Sequence, residues 1–423
     1  MTRVIVLDDD PTGTQAAAGV PVLLDLDAEL PPDESCFVLT NTRAMEEDQA
    51  VRLILGLRER FGDAEYVLRG DSTLRGHVFA ESDALGAAAG VLLFVPAYPE
   101  LGRVTLGGVH LVTVDGRRIP AAETEFAADP VFGFTASTLT AWAREVGDRS
   151  AASIPLDSVR QGGLAAALRQ APPGSVIVPD VETDADLMAV SAALEEARSA
   201  GVPVVLRCAA PLAAIRAGRP AGGLLERPVP RRPGGTLVVC GSHTEASGDQ
   251  LAALADVLAA PVRTVSTDAV LSGGPSGPEI EGRRVAGLAR GDLAERGVAI
   301  VASERVRRAG HGTLRHGARV MTALCAAASA LRPQLTAVIA KGGITSAQVA
   351  RDGLGAGTAR VLGPLYPGVA VWELRPSGAA TISYAVVPGN VGDARTLVRV
   401  AHAFGLEASP ATSESSRLGV RKG

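Results

Sequence analysis

Short runs of β-branched and apolar residues alternate with alanine-rich amphipathic stretches along nearly the whole chain. A buried run of five or six residues followed by a helical pattern is what a parallel sheet requires, because each crossover must return over a face that a helix then covers. Strands are predicted over 3–8, 20–25, 37–40, 66–70, 91–96, 175–179 and 202–207, and helices over 45–61, 78–89, 137–146, 162–170 and 184–200. From Pro99 to Phe134 the alternation lapses. Gly102, Gly107-Gly108, Asp115-Gly116 and Asp129-Pro130 are turn signals there, and the stretch reads as irregular.

The alternation breaks once more, over 217–235, where proline and glycine are too dense for a regular element and residues 218–235 read as a linker. Periodicity restarts at Thr236-Leu237-Val238-Val239-Cys240-Gly241. Further strands are predicted over 262–266, 298–302, 336–340, 358–362, 369–374 and 383–387, with helices over 245–259, 282–296, 316–331, 345–353 and 393–405. A chain of 423 residues needs two cores, since one rarely grows beyond about 250 to 300 residues. The expected architecture is two α/β domains with largely parallel sheets, at 1–217 and 236–406, the second sheet more mixed. A polar tail over 407–423 is expected to be disordered.

Composition narrows the ligands. Aromatics at 3% are too few for base-stacking platforms, and a net charge of −5 lacks the basic footprint of duplex binding. No apolar run approaches the roughly 20 residues of a membrane span. Cys36, Cys208, Cys240 and Cys325 are widely spaced in apolar surroundings, which reads as buried reduced thiols of a cytoplasmic protein. The first strand, with acidic residues at its end, does not have the form of a signal peptide. Small molecules are the expected partners, without nucleic acid or membrane. A homodimer is expected on base rates alone.

The first strand, Val4-Ile5-Val6-Leu7, runs into Asp8, Asp9, Asp10, Pro11, Thr12, Gly13 and Thr14. Adjacent carboxylates repel one another unless a cation, a ligand hydroxyl or backbone N–H groups take up the charge, so this strand end is a candidate site. A second polar strand end follows at Arg69-Gly70-Asp71-Ser72-Thr73-Leu74-Arg75-Gly76-His77. On one sheet the two loops meet at its carboxyl edge. Arg75 would then grip a substrate carboxylate while Asp71 and Ser72 bond hydroxyls. In the structural reading of the same residues, Asp71 and Ser72 cap the next helix and Arg75 pairs with Asp71. Pro96 to His110 reads as a rim from which Arg103 and His110 reach the ligand, although a lone histidine is more often a structural hydrogen bonder.

In the second half three glycine-bearing strand ends lead into helices: Gly241-Ser242-His243-Thr244, Lys341-Gly342-Gly343-Ile344-Thr345-Ser346 and Pro388-Gly389-Asn390-Val391-Gly392-Asp393. Glycine lets backbone N–H groups approach phosphate oxygens, and helix N-termini add partial positive charge. Each loop alone is an ordinary cap, but three on one sheet suggest a nucleotide cradle. Lys341 and Lys422 are the only lysines, and a compact ammonium beside a glycine pair suits a phosphate. The pattern of a P-loop is absent, and no clean GxGxxG follows a strand.

Together these motifs resemble the four-carbon acid sugar kinase family over nearly the whole chain. Asp9, Asp10, Thr12 and Gly13 fall on its Asp-Asp-x-Thr-Gly signature, and Asp71-Ser72-Thr73-Leu74-Arg75-Gly76 matches its DSTLRG stretch. Gly241-Ser242, Gly342-Gly343 and Gly389-Asn390-Val391-Gly392 fall on its second-domain loops. Two departures mark a distinct branch: Ile344 stands where many members carry Asp or Glu, and Asp8 and Pro11 replace an apolar and an aromatic residue.

The resemblance implies an N-terminal acid-sugar domain and a C-terminal ATP domain, with chemistry in the cleft between them. The family transfers phosphate to the terminal 4-hydroxyl of D-threonate, D-erythronate or 3-oxo-tetronate. On this reading Thr12, Gly13, Ser72, Arg75 and Arg103 line the substrate, and Asp9, Asp10 and Asp71 orient its hydroxyls, with Asp10 as the favoured base. Ser242, Thr244, Gly342, Gly343, Ile344, Thr345, Gly389, Asn390 and Gly392 line ATP, and Lys341 offsets developing charge. No dedicated metal ligands are expected, and Mg2+ arrives with ATP, held by phosphates and water. A hydroxy-acid dehydrogenase or aldolase, or a non-catalytic effector protein on the same fold, are the alternatives.

Overall fold

The computed structural model describes residues 3–10, 12–30, 33–114, 116–305, 314–389 and 391–407. The chain forms two compact units, Met1–Val22 with Leu30–Gly222, and Leu23–Glu29 with Gly223–Gly423.

The strands of the first unit are β1 (Val4–Asp8), β2 (Pro21–Leu23, at its border), β3 (Cys36–Leu39), β4 (Glu65–Arg69), β5 (Val91–Val95), β6 (Arg103–Leu106), β7 (Val109–Val114), β8 (Arg117–Pro120), β9 (Ala151–Ile154), β10 (Val176–Pro179) and β11 (Val204–Cys208). The main sheet runs β2-β3-β1-β4-β11-β5-β10-β9, and every pairing from β3 to β9 is parallel. All five residues of β1, β5 and β11 are buried, as befits strands covered on both faces. Helices such as Glu47–Phe61 and Asp184–Ser199 provide the cover. The latter starts on a capping box: the Thr183 hydroxyl accepts from the Asp186 N–H while the Asp186 carboxylate accepts from the Thr183 N–H.

The stretch expected to be irregular holds a second sheet, β6-β7-β8, antiparallel throughout. Its turn signals lie between strands of four to six residues, too short to show a period. Gly107 and Gly108, at φ 59° and 74°, form the two-residue hairpin turn whose handedness matches strand twist. Strand β9 and the helices Leu156–Arg160, Ala210–Arg216 and Thr267–Ser272 were also not predicted, each too short to show a period. The helix expected over 78–89 spans Val78–Ala84.

The second unit contains β12 (Gly235–Cys240), β13 (Val262–Val265), β14 (Val298–Ser303), β15 (Leu335–Lys341), β16 (Thr358–Tyr366), β17 (Val369–Leu374) and β18 (Ile382–Val387). Their order is β13-β14-β12-β15-β18-β17-β16. The first five are mutually parallel and β17 runs antiparallel to both neighbours, which is the mixed sheet expected. Helix Gly277–Arg296 begins earlier than predicted, with a proline in its first turn, where no N–H is missed. The helix expected over 393–405 is Thr396–Ala403, because the Asp393 carboxylate accepts from the Arg395 N–H at 2.9 Å and the Thr396 hydroxyl at 3.3 Å, closing a turn first. Residues 218–235 form no helix, and from Gly223 onward they belong to the second unit, where Val229 is buried and donates to the Ala403 carbonyl at 2.7 Å. From residue 408 the predicted tail lies outside the described residues.

Candidate active site

Four adjacent strands of the first unit, β3-β1-β4-β11, bring charged residues to their carboxyl ends. Strand β1 delivers Asp8, Asp9 and Asp10; the turn after β3 delivers Arg43; β4 ends at Arg69 and leads to Asp71, Ser72 and Arg75; β11 carries Arg207. The two polar loops singled out by sequence therefore lie on neighbouring strands.

Each carboxylate leans on an arginine. The Arg69 guanidinium donates to Asp8 Oδ1 at 2.9 Å and to the Asp10 carbonyl at 3.3 Å, and it lies 3.5 Å from Asp9 Oδ1. Arg207 donates to Glu81 and lies 3.4 Å from Asp9 Oδ2. Arg43 donates to Asp10 Oδ2 and stands 3.5 Å from Asp71 Oδ2. Arg75 Nε donates to Asp71 Oδ2 at 2.7 Å, its Nη1 lies 3.8 Å from Asp129, and its guanidinium stacks 5.1 Å above the Phe126 ring. Thr12 donates from both its N–H and its hydroxyl to Asp10 Oδ1, and the Thr73 hydroxyl donates to Asp71. A Cβ on Gly13 would lie 2.0 Å from Asp8 Oδ2, so only glycine lets this turn close over the carboxylate.

The acids divide by environment. Burial pushes Asp8 up to about 7 and Asp9 up to about 6 despite their arginines. Burial would also raise Asp10 and Asp71, but Arg43 and Arg69 outweigh it at Asp10, and Arg43 and Arg75 hold Asp71 well below the usual carboxylate range. Asp9, at 2% exposure, lies 3.4 Å from Arg207 through Oδ2 and 3.5 Å from Arg69 through Oδ1, deeper than the Asp10 and Asp71 side chains. Asp10 and Asp71 are the more open pair, with side chains 14% and 8% exposed. Arg75 is engaged with Asp71, as in the structural reading of the loop. The capping part of that reading is absent, because the next helix begins at Val78 with no side-chain cap.

The small sheet adds two residues. Arg103, at the start of β6, donates to the Ser72 hydroxyl. His110, on β7, is within 2.9 Å of the Ser72 carbonyl through Nε2 and within 3.1 Å of the Thr105 hydroxyl through Nδ1, and burial pushes it down to about 4. His110 is thus a neutral structural hydrogen bonder.

In the second unit the three glycine loops follow β12, β15 and β18, which are contiguous in the sheet. They are tied to one another. The Thr244 and Ser247 hydroxyls each lie 3.0 Å from the Gly389 carbonyl, and the Ser247 hydroxyl lies 2.9 Å from that of Ser242. Gln250 donates to the Val391 carbonyl at 3.1 Å. Gly342 has φ 114°, and a Cβ on it would lie 3.3 Å from Ser242 Cβ. A Cβ on Gly389 would lie 2.7 Å from Ser242 Oγ, so the loops meet backbone to side chain.

Two side chains expected at the nucleotide are buried here. Lys341 is fully buried and donates to the carbonyls of Pro388 at 2.7 Å and Val391 at 3.3 Å, so it braces the third loop rather than facing solvent. Thr345 is buried with its hydroxyl 3.8 Å from Met321 Sδ, whereas Ile344 is 49% exposed. Gly343 opens the helix Gly343–Gln348, and Gly392, at φ 86°, packs over Thr396. Asn390 lies outside the described residues. Among the described residues no group of three His, Cys, Asp or Glu side chains is placed to hold a metal ion.

Sequence reasoning missed Arg43, Arg69, Glu81 and Arg207 in the first unit and Ser247 and Gln250 in the second. Arg69 and Arg207 had a signal, a charge inside an apolar strand, and both are buried.

A family model described as a sugar-binding N-terminal domain matches residues 4–216, and one described as a nucleotide-binding C-terminal domain matches 237–397. The chain is 28% identical over 312 residues to a D-erythronate kinase of Heliobacterium modesticaldum, covering 68% of this chain and 67% of that protein. It is 32% identical over 208 residues to a D-threonate kinase of Salmonella typhimurium, covering 45% and 48%, and 31% identical over 231 residues to one of Cupriavidus necator, covering 52% of each. The matches to these two D-threonate kinases thus span about half their length. A solved structure from Salmonella typhimurium LT2 shares the fold at a TM-score of 0.71 and 20% identity, over 94% of this chain and 98% of that one. Another from Haemophilus influenzae does so at 0.64 and 16%, over 95% and 100%.

Proposed function

The chain belongs to the four-carbon acid sugar kinase family, and on that premise we propose that it is an ATP-dependent kinase acting on the terminal 4-hydroxyl of a tetronate or 3-oxo-tetronate. One observation supports it most. Strand ends crowded with paired carboxylates and arginines stand in the sugar-binding unit, and three glycine loops stand on contiguous strands of the nucleotide-binding unit.

Phosphoryl transfer asks for positioning and charge neutralisation more than for covalent help. Asp10 and Asp71, kept ionised by Arg43, accept hydrogen bonds from substrate hydroxyls. Asp10 orients the attacking 4-hydroxyl and takes its proton. Its low basicity suits a loose transition state, in which the hydroxyl proton leaves late. Thr12 and Ser72 complete the hydroxyl contacts. Backbone N–H groups of Gly342, Gly343, Gly389 and Gly392, with the Ser242 and Thr244 hydroxyls, receive the nucleotide phosphates, and Lys341 keeps their loops in register. Mg2+ would enter on the phosphates and neutralise their charge. The free buried thiols and the small-molecule site suit a cytoplasmic enzyme.

The test is ADP release with ATP and Mg2+ across D- and L-threonate, D- and L-erythronate and the 3-oxo-tetronates. Turnover on one member is the expected result and supplies the stereochemistry. Silence on all of them, with no ATP binding in calorimetry, overturns the reading.

A further inference from the structure

Five arginines converge on the carboxyl edge of the first unit's sheet, and four are matched by acids. Arg43 has Asp10 and Asp71, Arg69 has Asp8 and Asp9, Arg75 has Asp71 and Asp129, and Arg207 has Glu81 and Asp9. Arg103 has no carboxylate within ion-pair distance among the described residues. Among the described residues its side-chain hydrogen bond goes to the neutral hydroxyl of Ser72. Burial lowers its basicity and the Arg69 and Arg75 charges add to that effect, while the Asp71 carboxylate, beyond ion-pair distance, acts the other way. A guanidinium with no carboxylate in contact is costly in a partly dry site, and a ligand anion offsets that cost. A second orphan lies beside it: Tyr98, 1% exposed and in electrostatic reach of Glu100, Arg69 and Arg103, has a hydroxyl with no partner among the described residues.

The surroundings hold Arg103 in place. Its N–H and carbonyl exchange hydrogen bonds with Tyr98 at 3.1 and 2.7 Å. The hairpin turn that follows is fixed by Asp180, which accepts from the Gly107 and Gly108 N–H groups at 2.8 and 2.9 Å. His110 ties the next strand to the Ser72 carbonyl. A fork held this rigidly suits a planar, doubly accepting group.

We infer that Arg103, rather than Arg75, receives the carboxylate of the sugar acid, with the Tyr98 hydroxyl as a second donor. This rests on the reading that the first unit binds a sugar acid. The small sheet β6-β7-β8 then has a purpose that its irregular sequence hid: it carries the group that separates a sugar acid from a neutral polyol.

The experiment is calorimetric binding, without nucleotide, of the tetronate panel and of the matching tetritols, which carry CH2OH in place of the carboxylate. The full chain is compared with Arg103→Gln, Arg103→Lys, Arg75→Gln and Ser72→Ala. Wild type is expected to prefer acid over tetritol by about 100-fold or more, as a charge-assisted bidentate contact allows. Arg103→Gln abolishes that preference, Arg103→Lys keeps part of it, and Ser72→Ala, which breaks the same contact but leaves the cation, retains it. An Arg103→Gln protein that keeps the preference, or an Arg75→Gln protein that loses it instead, overturns the assignment and leaves the kinase reading standing. A wild type that binds no acid overturns the assignment together with its premise. The separate ADP-release assay reports on the kinase reading alone.

Discussion

Lys341 Nζ donates to the backbone carbonyl of Pro388 at 2.7 Å, so a lysine set against a glycine pair is turned onto the chain. Strand β15 ends at this lysine and β18 leads into that proline, and the contact fixes the spacing of two loops that would hold phosphate. Burial pushes the lysine down to about 8.

Lys341→Met removes both this bond and the one to Val391 at 3.3 Å. Nucleotide affinity should fall by about 10- to 100-fold as the third loop loses its brace, with little change in melting temperature. The two lost hydrogen bonds, each worth about 1 kcal/mol net, are offset by relief of a buried charge that costs about 3 kcal/mol at neutral pH. A folded-state value near 8 against an ordinary 10.5 means that the unfolded chain holds the extra proton between those pH values, so wild-type stability rises from pH 8 to 10.5 and the variant's curve is flat by comparison. Unchanged ATP affinity in calorimetry would make the brace irrelevant.

Asp8 and Asp9 predict the opposite slope. Their folded-state values near 7 and 6 lie above the ordinary 3.8, so the native protein binds more protons between about pH 4 and 7 and gains stability as pH falls through that window. His110, pushed down to about 4, works against this below 6.5, so the reading is the difference between variants. Asp9→Asn should be more stable than wild type at pH 8, by about 1 to 3 kcal/mol, and the gap should narrow to about half by pH 5 and close only below about pH 4. Urea midpoints at the two pH values decide it, and a gap that does not change with pH rejects the titration.

Asp10→Asn keeps the Thr12 contacts within reach but removes the charge that faces Arg43. Turnover should fall by about 100- to 10,000-fold, with ATP affinity nearly unchanged, as for loss of a group that orients and deprotonates the nucleophile. Steady-state kinetics with calorimetry checks both halves, and wild-type turnover would take Asp10 out of the mechanism.

Gly13→Ala should be far more damaging than Gly107→Ala. The first places a methyl group 2.0 Å from Asp8 Oδ2, whereas the second meets nothing within 4 Å and is opposed only by its φ of 59°. Expected losses are about 3 kcal/mol or more against about 1 kcal/mol, read as melting temperatures. Equal shifts would mean that the acidic turn relaxes easily.

Much of the fold was written in local patterns. Strands β1, β5, β12 and β18 are short, mostly apolar runs, because a strand buried on both faces admits little else. Sheet β6-β7-β8 escaped notice because its strands are four to six residues long and half exposed, which gives no sustained period. The acidic turn, the DSTLRG stretch and the glycine loops were visible as well, since each needs particular residues within a few positions.

The sequence by itself determined which loops are candidates for chemistry, because turn geometry and neighbouring carboxylates are local properties. Only the tertiary structure decided which charges face each other. Arg43, Arg69 and Arg207 come from three different strand ends and reach Asp10, Asp8 and Asp9 across separations of 33, 61 and 198 residues, pairings that no spacing along the chain encodes. For the same reason Arg75 pairs with an acid, Arg103 has no carboxylate in contact among the described residues, and Lys341 donates to the carbonyls of the third loop. Electrostatic energy depends on distance and burial in space, and both are set by how the strands are ordered in the sheet.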